Sequence, residues 1–357
     1  MSILLVYFTY IFLVISLINH LWIRIPNNSR EITQSVTVLV PMRNEAANVA
    51  GIVETLSQQI SMPHLSVVII NDASTDSTAE LLSEHTQSNS RFTVLTLTGP
   101  ETGWLGKVSA LESGFKRTQA DVIITLDADV RLEIDAIARA VNQLNDLQLD
   151  FVSPYPRQIA HSFAEKLIQP ILHWSWMSTV ILRLAEKFPM RSTAVANGQF
   201  FVVRREALVA IDGFSTVRTS ILDDIDLARS LISAGFRGVV TQGSAIAKTR
   251  MYSGFDEIRQ GYGKSLSEAF GGRLGTFIAI SFLFATGVLP LLVALTGDIN
   301  GWIAFFFIAV TRIISAIRSR GNVALTLLHP ISSVLLIYLI FYSYRHRGSI
   351  QWKGRLV

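Results

Sequence analysis

An unbroken apolar run, residues 122–126, is followed at once by two carboxylates one residue apart, Asp127 and Asp129. A strand that is apolar on both faces belongs in a sheet covered on both sides, which is typical of parallel α/β sheets. Such sheets bind ligands at the carboxyl ends of their strands, so both carboxylates are expected to project into a cleft. Carboxylate oxygens suit Mg²⁺ or Mn²⁺. Taken alone, however, an Asp-x-Asp pair is more often only the polar end of a strand.

Strands and helices alternate along the first half of the chain. An amphipathic helix is expected over residues 46–59, and further helices begin near Ser77 and near Lys107. Three more apolar stretches predict strands, over residues 35–41, 65–70 and 92–97. This alternation predicts an α/β fold with a parallel sheet and right-handed crossovers, so the polar turns gather along one edge.

The composition requires membrane segments. With 50% hydrophobic and 16% charged residues and a mean hydropathy of +0.40, the chain is more apolar than a soluble enzyme of 357 residues. Residues 1–24 predict an uncleaved transmembrane anchor, because the apolar run is long enough to span about 30 Å of hydrocarbon and lacks a cleavage site. Arg24 and Arg30 follow this run and no charged side chain precedes it. The positive-inside rule therefore places the following domain in the cytoplasm and the protein in the cell membrane.

A second membrane block is predicted over residues 274–345. It contains three apolar segments, residues 274–296, 299–317 and 323–344. Three spans would place the C-terminus outside, whereas the basic tail, residues 346–357, prefers the cytoplasmic side. We therefore expect one segment to be re-entrant or interfacial, and we favour the one that contains His329 and Pro330.

Two further segments have the pattern of interfacial helices. Residues 161–187 contain an uncharged stretch with Trp174 and Trp176 that is too short to span a bilayer but suits the headgroup region. Residues 251–272 form a second amphipathic piece. A helix buried in the core of the domain is the alternative for residues 161–187.

Charge and cysteine content narrow the remaining classes. The chain has no cysteine, which excludes disulfides and thiolate metal sites. The net charge of +4 fits association with an anionic membrane surface. Aromatic and basic residues are not interleaved as in nucleic-acid binders, so no nucleic acid partner is expected.

A second acidic cluster consists of Asp223, Asp224 and Asp226. Carboxylates this close together repel one another, which raises the pKa of one toward the range that a general base needs. A helix N-terminus capped by acidic residues is the simpler alternative.

Together the motifs resemble the inverting family 2 glycosyltransferases, whose catalytic domain is a nucleotide-sugar-binding domain of the GT-A type. The motifs are VPMRNE, VIINDASTD, GWLGKVSAL, LDADV and ILDDIDLA. The resemblance implies a catalytic domain over residues 33–250. Residues 197–213 are similar to the hopanoid-associated branch, whereas residues 250–264 and the tail are similar to the diaponeurosporenoate glycosyltransferases of carotenoid synthesis. The two branches share a reaction class and differ in the lipid acceptor.

The resemblance implies roles for individual residues. Asp224 matches the catalytic base, with Asp223 beside it, while Asp129 matches the direct metal ligand and Asp127 bridges metal and ribose. Because Asn71 replaces one of two usual aspartates but its amide still pairs with a pyrimidine edge, a UDP-sugar is the expected donor. The residues expected to bind the nucleotide are Pro41, Arg43, Glu45, Asn71, Asp72, Lys107 and Asp127.

Acceptor-side roles are implied for a smaller group. Gln199 lies where the family contacts the sugar or acceptor, and the family's Gln-x-x-Arg-Trp signature is degenerate here, retaining Tyr262 and Lys264. Trp174 and Trp176 are expected to meet the lipid. An ordinary solvated lysine is the alternative for Lys107.

These observations predict a membrane-anchored, metal-dependent inverting glycosyltransferase that moves a hexose from a nucleotide-diphosphate sugar to an apolar lipid, such as a carotenoid or hopanoid. Its partners would be the bilayer, the donor and the acceptor lipid. A processive polysaccharide synthase is the enzyme alternative, and an inactive membrane scaffold or lipid-binding protein on the same fold is the non-enzyme alternative.

Overall fold

The computed structural model describes residues 2–348 and 351–356. Met1 of the predicted anchor and residues 349, 350 and 357 of the predicted basic tail lie outside the described residues. The chain forms two compact units. The sheet unit comprises Arg24–Arg157 and Leu184–Thr249, and the helical unit comprises Met1–Ile23, Gln158–Arg183 and Arg250–Val357.

The strands, in chain order, are β1 (Val36–Met42), β2 (Leu65–Asp72), β3 (Phe92–Leu97), β4 (Val122–Leu126), β5 (Val130–Leu132), β6 (Phe151–Tyr155), β7 (Arg157–Gln158), β8 (Phe200–Arg204), β9 (Gly238–Gln242), β10 (Ala247–Thr249), β11 (Gln351–Trp352) and β12 (Arg355–Leu356). The α-helices are α1 (Ser2–Trp22), α2 (Ala46–Ser57), α3 (Thr78–Thr86), α4 (Gly106–Phe115), α5 (Ala136–Asp146), α6 (Phe163–Ile168), α7 (Pro170–Thr179), α8 (Leu182–Lys187), α9 (Arg205–Ala210), α10 (Asp223–Ser233), α11 (Phe255–Ala269), α12 (Arg273–Leu283), α13 (Leu289–Leu295), α14 (Ile299–Ser319) and α15 (His329–Arg345).

The sheet unit is built on a seven-stranded sheet with the order β3-β2-β1-β4-β8-β6-β9. Strands β1 to β4 pair in parallel, as predicted. The sheet is mixed rather than wholly parallel, because β8 runs antiparallel to both β4 and β6. A small second sheet includes β5 and β10 in antiparallel pairing. The predicted α/β fold is confirmed.

Both faces of the sheet are covered. Successive residues of one strand enter opposite apolar clusters: Val38 and Ile124 pack on one side, and Leu39 and Ile123 on the other. The neighbours of a strand residue face opposite sides of a sheet, so an unbroken apolar strand is satisfied only by helices on both faces. The carboxyl ends of β1, β2 and β4 are thereby left as the polar edge.

The helical unit contains the four described helices that are long and apolar enough to cross a membrane. They are Ser2–Trp22, Arg273–Leu295, Ile299–Ser319 and Ala324–Arg345. The first matches the predicted anchor. All three predicted C-terminal segments reach spanning length, including the segment with His329 and Pro330 that we expected to be re-entrant, so helix length gives that expectation no support.

Residues 161–187 differ from the prediction. They form three short helices, α6, α7 and α8, instead of one, and residues 158–183 group with the helical unit rather than with the predicted catalytic domain. Asn19 of α1 stabilises the break after α7, because its side-chain amide donates to the carbonyls of Met177 and Val180 and its oxygen accepts from the amide of Leu182. This bonding also explains a polar residue in the anchor helix.

The prediction of an exposed tryptophan surface is wrong. Trp174 is fully buried and Trp176 nearly so. The indole Nε1 of Trp174 donates to Thr311 Oγ1 at 2.8 Å, and its ring stacks on Phe282. A buried indole is stable only when its N–H finds a partner, which the membrane helices supply here. The alternative of a buried helix is right, although the core concerned is that of the helical unit.

Candidate functional site

The polar edge of the sheet unit collects the predicted carboxylates. Asp127 follows β4 directly, and β8 begins opposite it, since Leu126 pairs with Phe200. The amide of Asp127 donates to the carbonyl of Gln199 at 3.1 Å. The strand pairing therefore fixes the predicted acceptor-side Gln199 next to the predicted metal pair.

Lys107 joins two acidic groups that are far apart in sequence. It lies in the first turn of α4, and its Nζ is 2.9 Å from Asp127 Oδ1 and 3.7 Å from Asp223 Oδ2. Burial alone would lower the pKa of Lys107, but the negative charges of Asp127 and Asp223 raise it above its ordinary value. The lysine is therefore a fixed cation within the cluster, and the alternative of an ordinary solvated lysine does not describe it.

Asp129 is the more deeply held member of the predicted metal pair. Its Oδ2 accepts a hydrogen bond from Thr249 Oγ1 at 2.9 Å. Burial, followed by the charge of Asp127, raises the pKa of Asp129 to about 6, with a smaller contribution from Glu45. Three acidic groups thus face one another here, and a cation would relieve their repulsion.

Asp224 lies in the first turn of α10, beside this cluster. Its Oδ2 accepts from the amide of Gly198 at 2.6 Å, and its Oδ1 accepts from the amide of Ile225 at 2.8 Å. Burial and the charge of Asp223 raise the pKa of Asp224 to about 6, although the Lys107 charge lowers it. A carboxyl group that titrates near neutral pH is suited to general-base work.

Asp226, the third carboxylate of that helix turn, bonds residues close to it in sequence. Asp226 Oδ2 accepts from Ser220 Oγ at 2.5 Å, and Oδ1 pairs with Arg229 at 3.1 Å. Both are local contacts of α10. The simpler explanation, acidic residues at a helix N-terminus, therefore accounts for Asp226.

Two side chains approach Gly198 closely. A Cβ at this position would lie 3.1 Å from Asp224 Cβ and 3.3 Å from Lys107 Nζ. A side chain at this position would fit tightly, so Asp224 or Lys107 would have to shift by a few tenths of an ångström. The close approach also brings the backbone amide that Asp224 accepts into place.

The residues predicted for nucleotide binding line the ends of β1 and β2. Arg43 donates from Nη1 to the carbonyls of Asp72 and Ala73, at 2.9 and 2.7 Å, and so holds the turn after β2. Asn71 Oδ1 accepts from the amide of Ser74 at 3.2 Å. Asn71 and Asp72 are both almost fully buried. Each of these side chains therefore helps to shape the edge of the sheet.

The other members of that set occupy neighbouring positions. Pro41 lies in β1. Glu45 lies at the start of α2, where its Oε2 accepts from Asn48 Nδ2 at 2.8 Å. Their contacts with a nucleotide stay a prediction.

Sequence reasoning missed Tyr155 and Asn197. Tyr155 ends β6 and its side chain hydrogen-bonds that of Asn197; burial, followed by the charge of Asp224, raises the pKa of its phenol. Strand β6 runs in the same direction as β4, since both are antiparallel to β8. The available signal was weak, because only Phe151 and Val152 open the stretch FVSPY as an apolar strand would.

The remaining predicted acceptor residues belong to the helical unit. Trp174, Trp176 and Tyr262 are almost fully buried there, and Lys264 lies in the same helix as Tyr262. Their predicted contact with a lipid acceptor stays a prediction.

Within residues 2–348 and 351–356, no group of three or more His, Asp or Glu side chains is arranged to hold a metal ion. The Asp127 and Asp129 pair offers two carboxylates. Mg²⁺ commonly takes one or two protein carboxylates and completes its shell with water and substrate phosphates. A two-carboxylate set of this kind is therefore compatible with a metal shared with a diphosphate.

A family comparison identifies the domain that carries this edge of the sheet. Residues 37–211 match the model of glycosyl transferase family 2. This domain belongs to glycosyl transferase family 2. The matched range of the family 2 domain includes Lys107, Asp127, Asp129 and Gln199, whereas Asp224 lies beyond it.

Relatives of the family 2 domain extend the likeness to the whole chain. The 4,4'-diaponeurosporenoate glycosyltransferase of Staphylococcus aureus (strain USA300) is 24% identical over 339 residues, which cover 90% of this chain and 88% of that protein. Among solved structures, a mannosyltransferase from Pyrobaculum calidifontis, in complex with GDP-Man and Mn²⁺, is 16% identical with a TM-score of 0.55 and covers 97% of each chain. The second likeness shows the fold.

Proposed function

We propose that this protein is a membrane-anchored inverting glycosyltransferase that transfers a hexose from a UDP-sugar to the hydroxyl or carboxyl group of an apolar lipid. One observation carries the proposal: Lys107 joins Asp127 to Asp223 at the polar edge of a family 2 domain, with the half-buried Asp129 and Asp224 in the same cluster. The four helices of spanning length support a lipid acceptor. The Staphylococcus relative, which is named for a carotenoid acid, matches this chain over 90% of its length.

Asp224 is the proposed general base. It takes the proton from the acceptor's hydroxyl or carboxyl group while the acceptor oxygen bonds to the anomeric carbon. The bond from that carbon to the diphosphate oxygen breaks on the opposite side, so the anomeric configuration inverts. Gly198 and Ile225 hold both oxygens of Asp224 through backbone amides, which fixes the direction in which the carboxylate can accept.

Asp127 and Asp129 are the proposed ligands for Mg²⁺ or Mn²⁺. The fit rests on their oxygen donors and on the raised pKa of Asp129, to which burial contributes most and the neighbouring charge of Asp127 next. When bound, such an ion would stabilise the charge of the departing diphosphate. Lys107, a fixed cation next to Asp127, would add to that stabilisation.

The turns after β1 and β2 are proposed to bind the uridine. Asn71 offers a side-chain amide, which can donate to and accept from a pyrimidine edge. Binding of UDP-glucose and GDP-mannose to the purified protein with Mn²⁺, measured by titration calorimetry, tests this choice. We expect UDP-glucose to bind more tightly. Preference for the guanosine nucleotide would contradict the uridine assignment.

The cell membrane is the proposed location, with the sheet unit in the cytoplasm. Arg24 and Arg30 lie in the segment after α1, and basic residues next to a membrane span favour the cytoplasmic side. A cytoplasmic site would have access to nucleotide sugars made there. Cysteine labelling with a membrane-impermeant reagent tests this orientation. The chain has no cysteine of its own, so each single-cysteine variant reports on one position.

The pH dependence of transfer should report on Asp224. Because its pKa is about 6, we expect kcat to fall by about tenfold per pH unit below that value, as the protonated carboxyl cannot accept a proton. Above it, kcat should be level to about pH 8. Asp223, Lys107 and Tyr155 are the charged or titratable groups facing Asp224. The residual rate of Asp224→Asn should lack this acid limb, and an unchanged limb would assign it to another group.

Removing the charge of Lys107 should move that acid limb. The ammonium group lowers the pKa of Asp224, so Lys107→Met should raise this pKa and shift the limb to higher pH. Lys107→Arg keeps the charge and serves as the matched control, with a limb close to that of the unmodified protein. Profiles of kcat against pH for the three proteins give the answer. A limb at the same pH in Lys107→Met would show that the two groups are not coupled.

A further inference from the structure

A buried arginine in the helical unit has donors that nothing in the described chain accepts. Arg312 lies in α14, a segment of membrane-spanning length, and is 5% exposed. Its Nε and Nη2 have no hydrogen-bond partner among residues 2–348, and it forms no ion pair with a carboxylate in that range. An unpaired charge inside an apolar segment is costly and usually marks a binding or transport function.

Trp174 accounts for only one face of this side chain. The Cζ of Arg312 lies 3.6 Å from the centre of the Trp174 ring, and the Trp174 Nε1 donates to Thr311. Stacking of this kind uses the flat face of the guanidinium. The N–H donors lie in the plane of the group, so they remain available for a planar acceptor at its edge.

Two polar side chains of α15, a helix of the same unit, are also buried without hydrogen-bond partners in the described chain. His329 is 1% exposed and lies within electrostatic range of Arg312. Its ring approaches the backbone of Thr326, but neither ring nitrogen makes a hydrogen bond of regular geometry within the described chain. Ser333, one turn further along α15, is fully buried, and its Oγ has no partner in that range. Buried polar atoms without partners are rare, so a group of them requires an explanation.

The packing around Ser333 is unusually close. Gly287 lies in a π-helical turn, Phe284–Val288, and a Cβ at this position would stand 2.0 Å from Ser333 Oγ. Only glycine permits this approach. Single π-helical turns inside longer helices are frequent at functional sites.

We propose that Arg312, together with His329 and Ser333, binds the oxyanion of a membrane amphiphile, either a carboxylate or a phosphate carried on an apolar chain. A planar guanidinium matches such an oxyanion through two parallel N–H bonds. Arg312 lies seven residues before Ser319, the end of α14, which places it about 10 Å inside the helix. At that depth, the apolar chain of the amphiphile would carry its oxyanion into the membrane-spanning segment that contains Arg312. This site goes beyond the proposed function and does not depend on the carboxylates of the sheet unit.

The test compares two arginines of one helix. Arg318, also in α14, donates to the carbonyl and Nδ1 of His20 and so has partners within the helical unit. Oleate and its uncharged counterpart oleyl alcohol are titrated into the purified full-length protein in neutral detergent, and native mass spectrometry counts the bound molecules. We expect Arg312→Gln to weaken oleate binding by about tenfold or more, as for a lost charge-assisted bond. Arg318→Gln should change it by less than about twofold.

The same experiment identifies the source of the oxyanion. Dioleoylphosphatidylglycerol competing with dioleoylphosphatidylcholine tests a phosphate, and oleate tests a carboxylate; sensitivity of either anion to Arg312→Gln supports the site. If Arg312→Gln does not fold, Ser333→Ala carries the test, with an expected loss of about threefold from one hydrogen bond. The proposal is overturned if no anion binds, or if anions and uncharged lipids bind alike in all variants. No donor sugar is used, so the outcome is independent of transferase activity.

Discussion

Replacing Asp224 with asparagine is expected to lower the rate of sugar transfer by about a hundredfold or more, with donor affinity unchanged. Asparagine has nearly the same shape but cannot take the proton from the acceptor. Its side-chain oxygen can still accept from one of the two amides, of Gly198 and Ile225, that Asp224 accepts now. Initial rates with labelled donor, together with donor titration, separate kcat from binding.

Two neighbours in the same helix turn serve as controls. Asp226→Asn alters a carboxylate that bonds Ser220 and Arg229, both close to it in sequence, so it should leave transfer close to that of the unmodified protein. Asp223→Asn should have an intermediate effect, since Asp223 acts through Lys107 and through the pKa of Asp224. A larger loss in Asp223→Asn than in Asp224→Asn would make Asp223 the base.

Replacing Asp129 with alanine should have the largest effect, on the order of a thousandfold or more in rate, because it removes a ligand for the cation that stabilises the leaving diphosphate. Metal-dependent donor binding should be lost as well. Thr249→Val is the matched control, since it removes only the hydrogen bond that Asp129 accepts at 2.9 Å. We expect that variant to keep most of its activity.

Metal removal checks the same role without a substitution. Treatment with EDTA should abolish transfer by the unmodified protein, and added Mn²⁺ should restore it. Full activity in excess chelator would show that Asp127 and Asp129 serve another purpose, such as holding Lys107 in place.

The sheet and its polar edge were predictable because strand patterns are local. The apolar run before Asp127 requires helices on both faces, and the structure places its Ile123 and Ile124 in opposite clusters accordingly. Parallel pairing of β1, β2 and β4 then aligns their ends without further information. The antiparallel direction of β8 was not foreseen, since a strand's direction depends on long-range pairing that its own residues do not encode.

Burial of the tryptophans was not predictable from residues 161–187. An apolar stripe bounded by charges fits an interface and a buried helix equally well, and the choice depends on partners far away in the sequence. Thr311 and Phe282 supply those partners to Trp174. The hydrogen bond between Thr249 and Asp129 was unpredictable for the same reason, because it forms only when β10 pairs with β5.

Transfer of sugar to lipid by the reconstituted protein tests the central claim most directly. The full-length protein in liposomes is given Mn²⁺, UDP-glucose with a labelled sugar, and either a carotenoid carboxylic acid or a hopanoid alcohol, with Asp224→Asn as the control. We predict labelled glycolipid in the organic extract, with a β-anomeric bond from the α-configured donor, and about a hundredfold less in the control. Label found only as free sugar or as a water-soluble polymer, or equal glycolipid from Asp224→Asn, would contradict the account.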